Sequence, residues 1–207
     1  VAILTERSPR VPGLVFWIVI LSADVAVAYR VQREVGPQGD EPHYLMVAQS
    51  LLRDGDLSLE KDYAEGRYGA FFDQGPLAPH YRVRGKHGEV FSLHAVGLSV
   101  LVLPVYALGG YPAVSFFMAL ICALLAREIR ELVRTVFHDR QLAEGIGWIV
   151  ALSPPLIHYS GLVFTEVPAA LLLAVALRRA VTDGEWTARE ALVAGLALAS
   201  CPWLNVR

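Results

Sequence analysis

The topology turns on FSLHAVGLSVLVLPVYALG, residues 91–109. This run is apolar but carries His94, Gly97, Pro104 and Gly109, and a second apolar run follows directly over 110–126. Next comes REIRELVRTVFHDRQ, with Arg127, Arg130, Arg134 and Arg140, the strongest cytoplasmic marker in the chain. Upstream, VPGLVFWIVILSADVAVAY, residues 11–29, is long enough to span hydrocarbon. Arg7 and Arg10 before it favour a cytoplasmic start. If 11–29 leads outward and both 91–109 and 110–126 cross, the arginines of 127–141 end outside, against the positive-inside rule. The consistent reading is that 91–109 does not cross. It is then a re-entrant or juxtamembrane segment, which is tolerated where protein buries it. Loop 127–141 becomes cytoplasmic, and the apex 157–166 lies outside with Asp40. A true hairpin that breaks the charge rule is the alternative.

The composition agrees with a membrane protein. Of 207 residues, 55% are hydrophobic and only 18% charged, against about 25% charged in soluble domains; mean hydropathy is +0.44. The expected fold is all-α, a polytopic transmembrane helical protein with an external loop bearing juxtamembrane helices. The further spans lie at 142–157, 167–177 and 191–204, so 91–207 holds the re-entrant segment and about four transmembrane helices. Val1 at the start and the apolar run before the last residues read as a piece of a longer chain, truncated at its C-terminus. A net charge of −2 and the lack of a long basic tract argue against a nucleic-acid partner. Cys122 and Cys201 sit in apolar runs and read as small buried hydrophobes. Asp24, inside the first span, reads as a structural residue packed against a partner helix.

Residues 31–90 form the long polar region, the external loop. In GDEPHYLMVAQSLLR, residues 39–53, Asp40 or Glu41 caps a helix that Pro42 starts, and Gly55 stops it. Tyr44, Leu45, Ala48, Leu51 and Leu52 share one face, so the helix is expected in the interface with its apolar side down. Two adjacent carboxylates, with His43 following, sit beside the membrane surface. Asp40 is the candidate to accept a proton from a hydroxyl nucleophile; the plain alternative is an N-cap with a first-turn acid. Glu166, at the start of a later helix on the same side, supplies the second carboxylate that paired-acid chemistry or a shared divalent cation would need. Arg82, Arg84, Lys86, His87 and His94 flank the re-entrant segment and suit a phosphate or diphosphate, or anionic lipid headgroups. His80, Tyr81 and His158 are candidates to line a sugar pocket.

GDEPHYLMVAQSLLRDGDL after one N-terminal span resembles the first external loop of polytopic GT-C glycosyltransferases. The nearest group is the dolichyl-phosphate-mannose–protein mannosyltransferase and aminoarabinose transferase-like superfamily, bacterial members included. FSLHAVGLSVLVLP, FTEVPAALL and GLALASCPWLNVR extend the resemblance along nearly the whole chain. It implies that Asp40, with Glu41 beside it, is the catalytic or acceptor-orienting carboxylate. Glu166 takes the place of a second acid, where Asp is more usual. His94 takes the place of a polar residue before an apolar run, with Ala95 where the family has proline. The donor-binding set is then His43, Arg82, Arg84, Lys86, His94 and His158. The resemblance also implies a polyprenyl-phosphate-linked sugar donor, inversion at the anomeric carbon, and a lipid, protein or glycan acceptor. The setting would be the bacterial cytoplasmic membrane, with the active site on its external face. The residues alone leave two other classes open: a transporter or flippase using Asp24, Asp40 and Glu166, and a noncatalytic membrane scaffold.

Overall fold

The computed structural model describes residues 13–83, 86–182 and 184–204; the orienting arginines Arg7 and Arg10 lie outside these. Among the described residues, seven α-helices and one two-stranded hairpin form an all-α bundle with a polar cap at one end. Helix α1 (Gly13–Glu34) buries Phe16, Ile20, Asp24 and Ala28, one face at a spacing of four. Its opposite side exposes Leu14, Val15, Ile18 and Val19.

Helix α4 (Gly97–Phe137) is broken at Gly109 and Gly110. Gly110 has φ 61° and ψ −153°, a conformation open essentially to glycine alone. The chain folds back there. Gly97, Val100 and Leu101 line one cavity together with Phe117, Leu120, Ile121 and Leu124; in a straight helix Leu101 and Ile121 would lie about 30 Å apart. The arm 97–108 is about 18 Å long and the arm 111–137 about 40 Å. Among the described residues, helices α1 and α4 are the two long and apolar enough to cross a membrane.

Helix α1 runs antiparallel to the arm 111–137. At one end the Arg130 guanidinium lies 5.0 Å from the centre of the Phe16 ring. At the other, Gln32 Nε2 donates to the Pro112 carbonyl at 3.3 Å. The bundle thus has two distinct ends, roughly 27 Å apart along α4, close to the thickness of a bilayer core. The Arg130 end is a charged lattice. Arg130 pairs with Glu131 and Glu144, Arg134 with Glu131, and Arg178 with Glu128. Helix α5 (Arg140–Leu152) starts in this lattice, capped by Asp139 Oδ1 on the Leu142 N–H. Helix α6 (Glu166–Ala180) returns to it, and α7 (Ala188–Leu204) packs on α6 through Ala176, Ala194 and Ala197.

Between α5 and α6 the chain crosses back through residues 153–165. Ser160 Oγ donates to the buried Asp24 carboxylate, and Ser115 Oγ donates to the Gly161 carbonyl at 2.8 Å. Asp24 therefore ties α1 to this crossing, as a structural residue packed on a partner segment.

The cap is built on α2 (Glu41–Arg53). The helix starts at Glu41 and stops before Gly55, which has φ 73°. Its placement differs from an interfacial helix with a wet face: Glu41 through Ser50 are all buried. On one side it packs on the arm 97–108, where Ser99 Oγ donates to the Tyr44 carbonyl and Tyr106 Oη to Gln49 Oε1. On the other, Met46 and Val47 pack with Leu59 and Leu77 of the loop that follows. That loop folds over the face expected to meet water. It contains α3 (Glu60–Ala64) and the hairpin β1 (Tyr81–Val83) and β2 (Val90–Ser92).

Candidate functional site

The site forms where the start of α2 meets the root of the hairpin. Tyr81 pairs with Ser92, Arg82 with Phe91 and Val83 with Val90. The ladder extends one step, with the Leu93 N–H donating to the His80 carbonyl at 3.1 Å. This register sets His80 and His94 side by side. Asp40 stands at the N-cap position of α2, yet its carboxylate makes no capping bond. An N-cap aspartate ordinarily accepts an N–H of the first turn. Here Oδ1 faces the histidines instead, 3.6 Å from His80 Nδ1 and 3.8 Å from His94 Nε2. Both distances exceed a hydrogen bond. The three donor atoms lie within 4.8 Å of one another, an arrangement able to hold a metal ion.

His43 forms the floor. It is 2% exposed and stacks on His80 with ring centres 4.2 Å apart. Tyr63 Oη accepts the His80 backbone N–H at 3.1 Å and lies 3.2 Å from His43 Nδ1. The Tyr63 hydroxyl that accepts the His80 N–H is also free to donate to His43 Nδ1, a pairing that goes with the Nε2–H tautomer of the neutral ring. Burial pushes the His43 pKa down to about 4, reinforced by His80 and His94 and opposed by Asp40. Burial also lowers that of His94, opposed by Asp40. Both rings therefore favour the neutral form, in which a ring nitrogen can bind a cation. Asp40 and His80 are each 44% exposed at the side chain, His94 15%, so the site opens to one side.

Glu41 faces the other way. Oε1 accepts the Val163 N–H at 2.6 Å and Oε2 the Gln38 N–H at 2.8 Å. It is fully buried, and burial lifts its pKa to about 7 against those two bonds. Its geometry is that of a residue positioning the turn that carries Asp40.

The remaining sequence candidates are dispersed. Arg82 and Lys86 are exposed on the hairpin, with no ion pair among the described residues. Arg84 lies outside the described residues. Exposed Glu166 has one hydrogen-bond neighbour among the described residues, Thr165 Oγ1 at 3.5 Å, and lines an apolar cavity with Leu125, Tyr159 and Ala170. No hydrogen bond or ion pair among the described residues joins it to Asp40. His158 is exposed in the crossing segment. His80 is more central than its place beside Tyr81 and His158 in the sequence implies. Tyr63 carries no local signal at all: it lies in a short helix and enters the site through loop packing.

No family model, curated protein or solved structure matches this chain.

Proposed function

We propose that the protein is a membrane glycosyltransferase that moves a sugar from a polyprenyl-phosphate donor to an acceptor hydroxyl on the external face, with inversion. The observation that carries this reading is the freed Asp40 carboxylate, half exposed at the end of the bundle opposite the arginine lattice. At 44% exposure its carboxylate is open to an acceptor beside the two histidines. Asp40 orients or deprotonates the hydroxyl. The oxygen then attacks the anomeric carbon as the bond to the phosphate oxygen breaks, and the phosphate leaves with the electron pair. Phosphate is a good leaving group, so stabilising its charge suffices. Arg82 and Lys86 supply nearby positive charge that no carboxylate among the described residues neutralises.

Two further features support the reading. The cavity of about 460 Å³ between the arms of α4, α6 and α7 is lined by Val100, Leu101, Phe117, Leu171 and Trp203. It suits a hydrocarbon chain. The short arm 97–108 suits a segment that enters the bilayer without crossing, which keeps Asp40 opposite the arginines. A divalent cation beside Asp40 fits the same chemistry, and Glu166 is proposed to assist acceptor placement. The test supplies membranes holding the protein with polyprenyl-phosphate sugars and follows release of polyprenyl phosphate. Equal release by wild type and Asp40→Asn would overturn the assignment.

A further inference from the structure

We propose that Asp40, His80 and His94 form a binding site for one zinc-class transition-metal ion. This names the cofactor of the site just described and rests on the sugar-transfer reading only for the use made of the ion. The geometry carries it. Donor atoms around a tetrahedral ion bound at about 2.0–2.1 Å lie roughly 3.3–3.5 Å apart. Asp40 Oδ1 lies 3.6 Å from His80 Nδ1 and 3.8 Å from His94 Nε2, and all three donor atoms lie within 4.8 Å of one another, so modest side-chain rotation draws them onto one ion. Direct hydrogen bonding does not explain the cluster, because both separations are too long. His94 Nε2 is buried with no hydrogen-bond partner among the described residues. A buried ring nitrogen aimed at a carboxylate without reaching it is satisfied by an ion between them.

Packing holds both rings in place. His80 is stacked on His43, and its backbone N–H is fixed by Tyr63 Oη. His94 packs against Tyr44 and His43, with ring centres 4.9 and 5.6 Å away. The donor set selects the metal. Magnesium and calcium take oxygen ligands, whereas two imidazoles and one carboxylate suit zinc and its transition-metal neighbours. Three protein ligands leave a position for an oxygen ligand, the pattern of a reactive rather than a purely structural site.

The test uses the chain in nanodiscs, purified through a tag without histidine and stripped with chelator. Zn²⁺, Co²⁺ and Mg²⁺ are added separately, and retained metal is counted after desalting. One Zn²⁺ per chain is expected, with a Co²⁺ visible spectrum that Zn²⁺ erases and no retained Mg²⁺. His80→Ala and His94→Ala should each weaken Zn²⁺ binding at least about a hundredfold, beyond the loss typical of outer-shell changes. His138→Asn, at the far end of the bundle, should leave it unchanged. His80 is half exposed, so its variant stays informative if His94→Ala misfolds. No retained Zn²⁺, or retention that neither histidine variant reduces, would overturn the proposal. No sugar donor is present, so failure here is separable from failure of sugar transfer.

Discussion

Glu41 Oε1 accepts the backbone N–H of Val163 at 2.6 Å. This one bond locks the turn bearing Asp40 to the crossing segment between α5 and α6, while Oε2 holds the Gln38 N–H. Glu41→Gln keeps the size but turns an amide NH₂ toward one of two N–H donors. The expected loss is about 1–3 kcal/mol, read as a lower melting temperature in detergent near pH 4.5, where ionising Glu41 costs the wild type nothing.

The same residue sets a pH signature. His43, depressed to about 4 from 6.5, contributes stability that is present above pH 6.5 and is lost as pH falls toward 4. Glu41 is raised to about 7 from 4.5, so the unfolded chain ionises first and stability falls as pH rises through that range. Each slope reaches about 1.4 kcal/mol per pH unit, and between 4.5 and 6.5 they oppose. Melting of the wild type should be nearly flat there, whereas Glu41→Gln should gain stability with rising pH. A flat profile for the variant would contradict this account.

Asp40→Asn should lower release of polyprenyl phosphate by at least about a hundredfold, the usual scale of a lost general base. Its melting temperature should change little, because the carboxylate makes no capping bond and is half exposed. A comparable loss of stability would indicate a structural role instead.

Tyr63→Phe removes the hydroxyl shared by His43 Nδ1 and the His80 N–H. Leaving both groups without it should cost about 1–3 kcal/mol. Nitrogen NMR of labelled histidine should show one His43 tautomer in the wild type and a mixture in the variant. An unchanged His43 signal would remove Tyr63 from the site.

Gly161→Ala should be among the most damaging small changes. Its φ is +83°, and an added Cβ meets Ala28 and Ser115. Backbone strain and overpacking together predict a loss of about 2–4 kcal/mol, visible in thermal unfolding. A variant as stable as wild type would mean that the crossing segment sits farther from α1.

Much of the fold is legible locally. The long apolar run of α1 announces a helix able to span hydrocarbon. Pro42 and Gly55 bracket α2, and the arginines of 127–141 gather at one end. Gly109 and Gly110, at the end of the apolar run 91–109, are where the chain folds back, a turn that a re-entrant segment and a crossing hairpin share. The wet face expected for α2 was misleading, because amphipathic spacing cannot say whether water or a returning loop covers the polar side.

The candidate site divides along the same line. The sequence by itself determined which residue types were available: an acid pair at a helix start, scattered histidines, and a basic hairpin. Periodicity and turn residues act over a few positions, and those features are written at that range. Only the tertiary structure decided that Asp40 meets His80 and His94 while Glu41 and Glu166 turn elsewhere. That choice depends on the hairpin register and on packing of the loop over α2. Such contacts close long loops, and no local spacing in the chain records which ends will meet.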